Sequence, residues 1–237
     1  MKIALIGYGK MGHMIEEIAK KRGHEIVSII DINNKEEIGS EAFSMADVAI
    51  EFTVPGEAWE NINKSWQAGV PVVSGTTGWK KSAEEINDAI NRYDSALLWS
   101  SNFSLGVNIF FEINRQLAKI MSNYPYEVSI TEIHHTQKKD APSGTAITIA
   151  EDIISNNDKK ERWTLQGDAE SNEISVTAIR EGNVPGTHIV DYKSAQDKIE
   201  IKHEAYSREG FALGAVIAAE FLAGKKGLFT MRDILKF

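Results

Sequence analysis

The sequence predicts an α/β protein: a doubly wound parallel sheet in its first part, then an α+β domain on an open mixed sheet. Three observations carry this. Up to about residue 103, short apolar runs alternate with helix-length amphipathic segments, the rhythm of a parallel sheet with right-handed crossovers. The first apolar run ends in Gly7-x-Gly9-x-x-Gly12, a glycine turn set between a strand and a helix. Beyond residue 104 the rhythm changes to one long helix followed by strands on short polar links.

Residues 2–6 read as a buried strand, after which Met11, Ile15 and Ile18 share one helical face. Residues 25–30 form a second strand with Asp31 at its end, and 48–52 a third. A helix over 56–68 precedes a fourth strand, 70–74, which runs into Gly75-Thr76-Thr77-Gly78. A helix over 82–92 and a strand over 96–99 complete this part, and Ser101, Asn102 and Phe103 follow. The long helix spans 106–122, with Val107, Phe110, Phe111, Leu117 and Ile120 apolar. A strand over 127–132 leads into a polar block. Residues 173–179, 189–193 and 198–203 read as further strands, and 155–172, polar and charged, as an exposed connection. Residues 211–221 are helical, with alanines offering close-packed faces. The chain therefore divides at 1–103, 104–209 and a C-terminal segment, 210–237.

A net charge of −8 argues against a nucleic-acid partner, whose phosphates require a basic face. It leaves room for a small anionic ligand, because local charge at a site can oppose the global sign. With no cysteine, disulfides and thiolate metal sites are excluded, and no metal is expected. The apolar run at residues 3–6 is too short for a signal peptide, and none approaches the ~20 residues of a membrane span. The expectation is a soluble cytoplasmic protein with no membrane partner.

The glycine turn carries the first chemistry. Gly7 allows a tight turn, Gly9 lets a pyrophosphate approach the backbone, and Gly12 permits close packing of helix on strand. Lys10 and Met11 lie within the same loop. Asp31, nineteen positions past Gly12, suits the hydroxyls of an adenine ribose and repels a 2′-phosphate. NADH is therefore the expected cofactor over NADPH, with Lys35 as the nearby cation that would soften the preference. Phe52, Thr53, Gly75, Thr76, Thr77, Ser101, Asn102 and Phe103 fall at the C-terminal ends of successive strands, the edge where such sheets bind ligands. The threonine hydroxyls and backbone groups there are expected to hold the nicotinamide ribose and amide.

The second chemistry lies in residues 134–146, HHTQKKDAPSGTA. Two imidazoles exchange protons near neutral pH, and two lysines bring fixed positive charge. Ser143, Gly144 and Thr145 open a segment with helical spacing, so they stand at a helix N-terminus, which suits a carboxylate or phosphate. Proton donor, cation and anion cradle converge, as a reaction on a small dianion would need.

On these residues the chain resembles the dihydrodipicolinate reductase (4-hydroxy-tetrahydrodipicolinate reductase) family of bacterial lysine biosynthesis. The resemblance rests on the glycine loop, Gly75-Thr76-Thr77-Gly78, the stretch from Ser101 through Val107 and above all the block from His134 to Ala146. Arg180-Glu181-Gly182 with Gly186-Thr187-His188 also matches a family segment. The resemblance implies a Rossmann domain, a mixed-sheet domain that binds substrate and builds a homotetramer, and a C-terminal segment returning to the first domain. It implies NAD(P)H-dependent reduction of hydroxytetrahydro- or dihydrodipicolinate, a small dicarboxylate, to tetrahydrodipicolinate on the diaminopimelate route to lysine. His134 matches the family's catalytic acid and Lys138 its catalytic lysine. His135, Lys138, Ser143, Gly144 and Thr145 match the positions that grip the substrate carboxylates. The chain departs from the family in three ways: it is short, with loops reduced near Ser40 and over 155–172; Lys10 stands where arginine is common; and no basic residue directly follows Asp31. Two other readings share some of these features. A two-domain dehydrogenase acting on aspartate or homoserine would share the glycine loop and Asp31, and a non-catalytic NADH sensor would bind without turnover. Neither requires the block at 134–146.

Overall fold

Strands buried on both faces, joined by helices, are what a parallel sheet demands. In the computed structural model, which describes residues 1–167 and 169–236, the first elements are β1 (Lys2–Ile6), α1 (Lys10–Lys21), β2 (Glu25–Ile30), α2 (Glu41–Ser44) and β3 (Val48–Glu51). Next come α3 (Pro55–Gln67), β4 (Val72–Ser74), α4 (Ala83–Tyr93), β5 (Ala96–Trp99) and α5 (Leu105–Met121). The chain continues through β6 (Glu127–His134), α6 (Gly144–Asn156), β7 (Arg162–Leu165), β8 (Glu173–Arg180) and β9 (Gly186–Lys193). It ends with β10 (Lys198–Ala205), α7 (Glu209–Leu222), β11 (Gly227–Phe229) and α8 (Met231–Leu235). Two compact units result, Met1–Leu105 with Glu209–Phe237, and Gly106–Arg208.

In the first unit the described strands pair in parallel in the order β11-β5-β4-β3-β1-β2. Side chains alternate across a strand, so Ile3 and Leu5 enter one core layer with Val48, Ile50 and α7. Ala4 and Ile6 enter the other, with Ile62, Trp66 and Leu97. The helix α7 is apolar nearly all round, and buried Ala212, Ala215, Ala218 and Ala219 let it lie close beneath the sheet. Strand β11 has no counterpart in the sequence reading. At three residues it shows no period, and it is a strand because Gly227–Phe229 pair with Ala96, Leu97 and Leu98.

The second unit is a mixed sheet in the order β10-β9-β6-β8-β7. Strand β6 runs parallel to β8 and antiparallel to β9. Its core joins Val128, Ile130, Val176 and Val190 of the sheet to Phe110, Phe111, Ile149 and Ile153 of α5 and α6. Two expectations need correction here. Strand β6 runs on past residue 132 to His134, because the inward face that begins with Val128 and Ile130 continues through Glu132 and His134. The stretch 155–172 is not a bare connection: its first two residues belong to α6, and it contains β7, paired in parallel with β8. Polar residues hid that edge strand, which an Arg162–Glu173 ion pair joins to β8 at 2.5 Å. Asp168, within the same stretch, and Phe237 lie outside the described residues. Among the described residues no helix is long and apolar enough to cross a membrane.

Candidate active site

In the first unit β1 and β3 are neighbours, and the connections that leave their C-terminal ends run in opposite directions, from β1 to β2 and from β3 to β4. A crevice at such a switch point is where open α/β sheets bind ligands. Two neighbouring cavities open there, of about 320 and 490 Å³, sharing Gly9, Phe52 and Thr53. Gly7 turns the chain with φ +91°, and a methyl group on it would sit 2.0 Å from the Phe52 carbonyl oxygen. Gly9 caps α1 without any side-chain hydrogen bond, and the space where its side chain would stand is empty to 4 Å. The first turn of α1 thus offers backbone N–H groups and partial positive charge to an incoming anion. These residues fit a dinucleotide.

The 320 Å³ cavity holds Asp31, exposed just beyond β2, together with Lys35 and Glu57. Lys35 is paired with Glu57 at 2.7 Å. The 490 Å³ cavity takes in Lys10, Met11, Gly12, Gly75, Thr76 and Thr77. Ser101, Asn102 and Phe103 line neither, and Phe103 packs its ring into the core 5.7 Å from that of Phe52. The threonine hydroxyls behave differently from expectation. Both Thr53 and Thr76 donate theirs to Glu51, a fully buried carboxylate that also accepts from the Ser74 hydroxyl at 2.6 Å. The Thr76 carbonyl accepts indole N–H groups from Trp79 and Trp99 at 2.8 and 3.0 Å. Glu51 thus ties the ends of β3 and β4 into one rigid edge, and of the two adjacent threonines it is Thr77 that is exposed. A charged residue within an apolar strand was the signal for this anchor.

In the second unit, strand register assembles the polar cluster. Residues two apart on a strand share a face, which puts Glu132 beside His134. The antiparallel partner of Glu132 is His188, and the parallel partner of His134 is Arg180. Glu132 is fully buried. Its Oε1 accepts from the Arg180 guanidinium at 2.7 Å and from the Ser143 backbone N–H at 3.1 Å. Its Oε2 lies 2.9 Å from His134 Nδ1, an ion-pair contact whose two atoms make no other hydrogen bond. Burial alone would push the Glu132 carboxyl up, but the neighbouring His134 imidazole and the hydrogen bonds from Ser143 and Arg180 prevail and hold it at about 2. Burial, reinforced by the charge of His134, brings His188 down to about 3, so this imidazole stays neutral.

Ser143 caps α6: its Oγ accepts the Ala146 N–H at 3.2 Å and lies 3.2 Å from His188 Nε2. Gly144 and Thr145 form the head of the helix, whose partial positive charge suits a carboxylate. Lys138 is half-buried and grips Asp140 at 2.8 Å, whereas Lys139 is exposed. His135 is half-buried and donates its backbone N–H to Val184 O at 2.8 Å. Glu132, His134 and His188 bring donor atoms within 4.8 Å of one another. Arg180 already balances the carboxylate there, and the arrangement suits proton chemistry. Glu132 and the local roles of Arg180 and His188 went unread in the sequence; an acidic residue continuing the buried face of β6 was the available signal.

Comparison with known proteins agrees with this chemistry. A family model described as dihydrodipicolinate reductase, N-terminus, matches residues 1–103, and one described as dihydrodipicolinate reductase, C-terminus, matches residues 106–235. A 4-hydroxy-tetrahydrodipicolinate reductase of Christiangramia forsetii is 52% identical over 236 residues, covering 99% of this chain and 98% of that protein. One from Methanosarcina barkeri is 41% identical over 214 residues, 88% of this chain and 80% of that protein. The solved structure of a dipicolinate-bound dihydrodipicolinate reductase from Paenisporosarcina sp. TG-14 shares the fold, with a TM-score of 0.76 at 22% identity over 97% of each chain.

Proposed function

Because the chain belongs to the dihydrodipicolinate reductase family, we infer that its two units divide the reaction, the first holding the nicotinamide cofactor and the second the substrate. The enzyme reduces 4-hydroxy-tetrahydrodipicolinate, or dihydrodipicolinate formed by its dehydration, to tetrahydrodipicolinate in diaminopimelate and lysine biosynthesis. Its substrate is a small dicarboxylate.

The observation that carries the assignment of roles is the cluster at the end of β6. When bound, the reduced nicotinamide supplies hydride. The protein supplies the rest. His134, a tenth exposed at its side chain, delivers the proton that completes the reduction. The head of α6, with Ser143, Gly144 and Thr145, receives one substrate carboxylate, and His135 and Lys138 help to hold the substrate. In the resting enzyme Lys138 is occupied by Asp140, so a substrate carboxylate takes over a position that Asp140 fills beforehand. As a fixed cation Lys138 also raises the electrophilicity of the conjugated imine.

Asp31 and the Lys35–Glu57 pair support NADH as the preferred cofactor. A 2′-phosphate entering that cavity would meet two carboxylates and find the local cation already paired. The reading includes a cytoplasmic location and assembly as a homotetramer through the second unit.

The test is NADH oxidation by purified protein, with substrate generated in situ from pyruvate and aspartate semialdehyde by the preceding synthase. Oxidation is expected to need both precursors and the synthase, with a lower KM for NADH than for NADPH. His134→Gln and Lys138→Met should each lower kcat, by on the order of 10²-fold for the proton donor, while NADH binding persists. Binding without turnover in the wild type would return the sensor to consideration, and turnover on aspartate or homoserine the related dehydrogenases.

A further inference from the structure

We propose that Glu132 is the positioning residue for proton delivery: it fixes the rotation and tautomer of His134 through Nδ1 and leaves Nε2 as the nitrogen that releases the proton. The proposal rests on the reading of His134 as the proton donor and extends it to a residue that cannot itself meet substrate. Glu132 has no exposed surface. Whatever it contributes to the reaction passes through its neighbours.

Three observations converge on it. The carboxylate is itself immobilised, with Arg180 and the Ser143 N–H on Oε1, so Oε2 is held at a fixed place 2.9 Å from Nδ1. A carboxylate accepts and never donates when ionised, so the nitrogen facing it is the protonated one. At the other side of the ring stands Gly186, where a methyl group would come within 3.0 Å of His134 Nε2. With glycine at 186, no side chain from that position covers the nitrogen. A histidine ring held by a carboxylate at one nitrogen and open at the other is oriented to work through the open one.

The proton count closes. In its charged form the imidazolium holds a proton on each nitrogen. As hydride arrives at one ring carbon of the substrate, the Nε2–H bond breaks and a C–H bond forms at the carbon that has gained electron density. The Nε2 lone pair remains on histidine. The ring is left as the Nδ1–H tautomer against Glu132, and solvent returns the proton to Nε2. Glu132 keeps its charge throughout, since its carboxyl is held at about 2. The charged and titratable groups around His134 are Glu132 on its own strand, Arg180 on β8, His188 on β9, and the Lys138–Asp140 pair beyond the strand end. Arg180 is bound to the carboxylate and His188 is neutral, which leaves Glu132 as the anion that faces the imidazolium.

The experiment compares the wild type, Glu132→Gln and Glu132→Asp. The glutamine variant should lose on the order of 10²-fold in kcat, in the range seen for general acids, with the dissociation constant for NADH unchanged. Its kcat–pH profile should differ from that of the wild type, because the carboxylate that faces His134 is gone. Glu132→Asp should recover part of the rate and of the pH profile. A glutamine variant with wild-type kcat and pH profile overturns the proposal while leaving the reductase reading intact. If a variant fails to fold, ¹⁵N NMR of the wild type decides: neutral His134 should be the Nδ1–H tautomer, and a bare Nδ1 overturns the proposal. That measurement needs no turnover, so it stands even where the assigned reaction fails.

Discussion

His188 shows how a single residue ties the stability of this protein to pH. It sits directly across from Glu132 in the sheet, buried, with its imidazole held neutral down to about 3 against an ordinary value of 6.5. Between those values the unfolded chain binds a proton that the native one does not, so stability rises with pH across that window. His203, also lowered by burial, adds to the same limb, and Glu132 extends it below 4.5 towards 2. Thermal unfolding should therefore shift to lower temperature as pH falls from 7 to 5, and less steeply in His188→Asn. Equal slopes in both proteins would remove His188 from this account. None of this was legible from the sequence, because burial of a histidine depends on which strand lies opposite. What could be read was chemistry that is local in sequence: Ser143 at a helix start, two imidazoles in series, and Gly7 at a turn. Glu132 sits two positions before His134, yet its part depends on Arg180 and His188, which the chain reaches only some fifty residues later.

Among the elements, α7 makes the sharpest demand on sequence. A methyl group on Gly214 would lie 1.7 Å from the Phe103 carbonyl oxygen, so this helix approaches the end of the loop after β5 as closely as backbone allows. Gly214→Ala must displace one or the other, and overpacking of this kind costs about 1–3 kcal/mol or more. A fall in melting temperature of roughly 2–4 °C per kcal/mol follows for a chain of this size. An unchanged melting temperature in calorimetry would mean that the helix and loop separate more easily than their packing implies. The helix itself was readable, since its alanines and branched residues leave no polar face. Strands β1, β2 and β5 were readable at their bounds because each is a short apolar run. Strands β7 and β11 were not. One is four residues long on an edge within a polar stretch and the other three residues long, and only their neighbours make them strands.

For the whole molecule, the second unit leaves Ile109, Ile113 and Ile120 of α5 and Ile199 of β10 at 39–57% exposure. Apolar side chains repeated along one helix are costly to leave in water and mark a contact surface. Sedimentation should give a mass near four times the 26.3 kDa chain, and Ile113→Glu should lower it; a wild-type monomer would refute the tetramer. The doubly wound sheet and the mixed sheet could both be anticipated from the change in rhythm near residue 104, whereas strand order could not, because pairing is decided by partners distant in sequence. That pairing has a consequence for how such enzymes diverge. Glu132, His134, Arg180 and His188 occupy matched rungs of three adjacent strands, so strand pairing places all four, and Ser143 at the head of α6 completes the cluster. Insertions and deletions in the connection between α6 and β8 are then neutral with respect to the proton donor, and a lineage can trim that surface loop without renegotiating its chemistry.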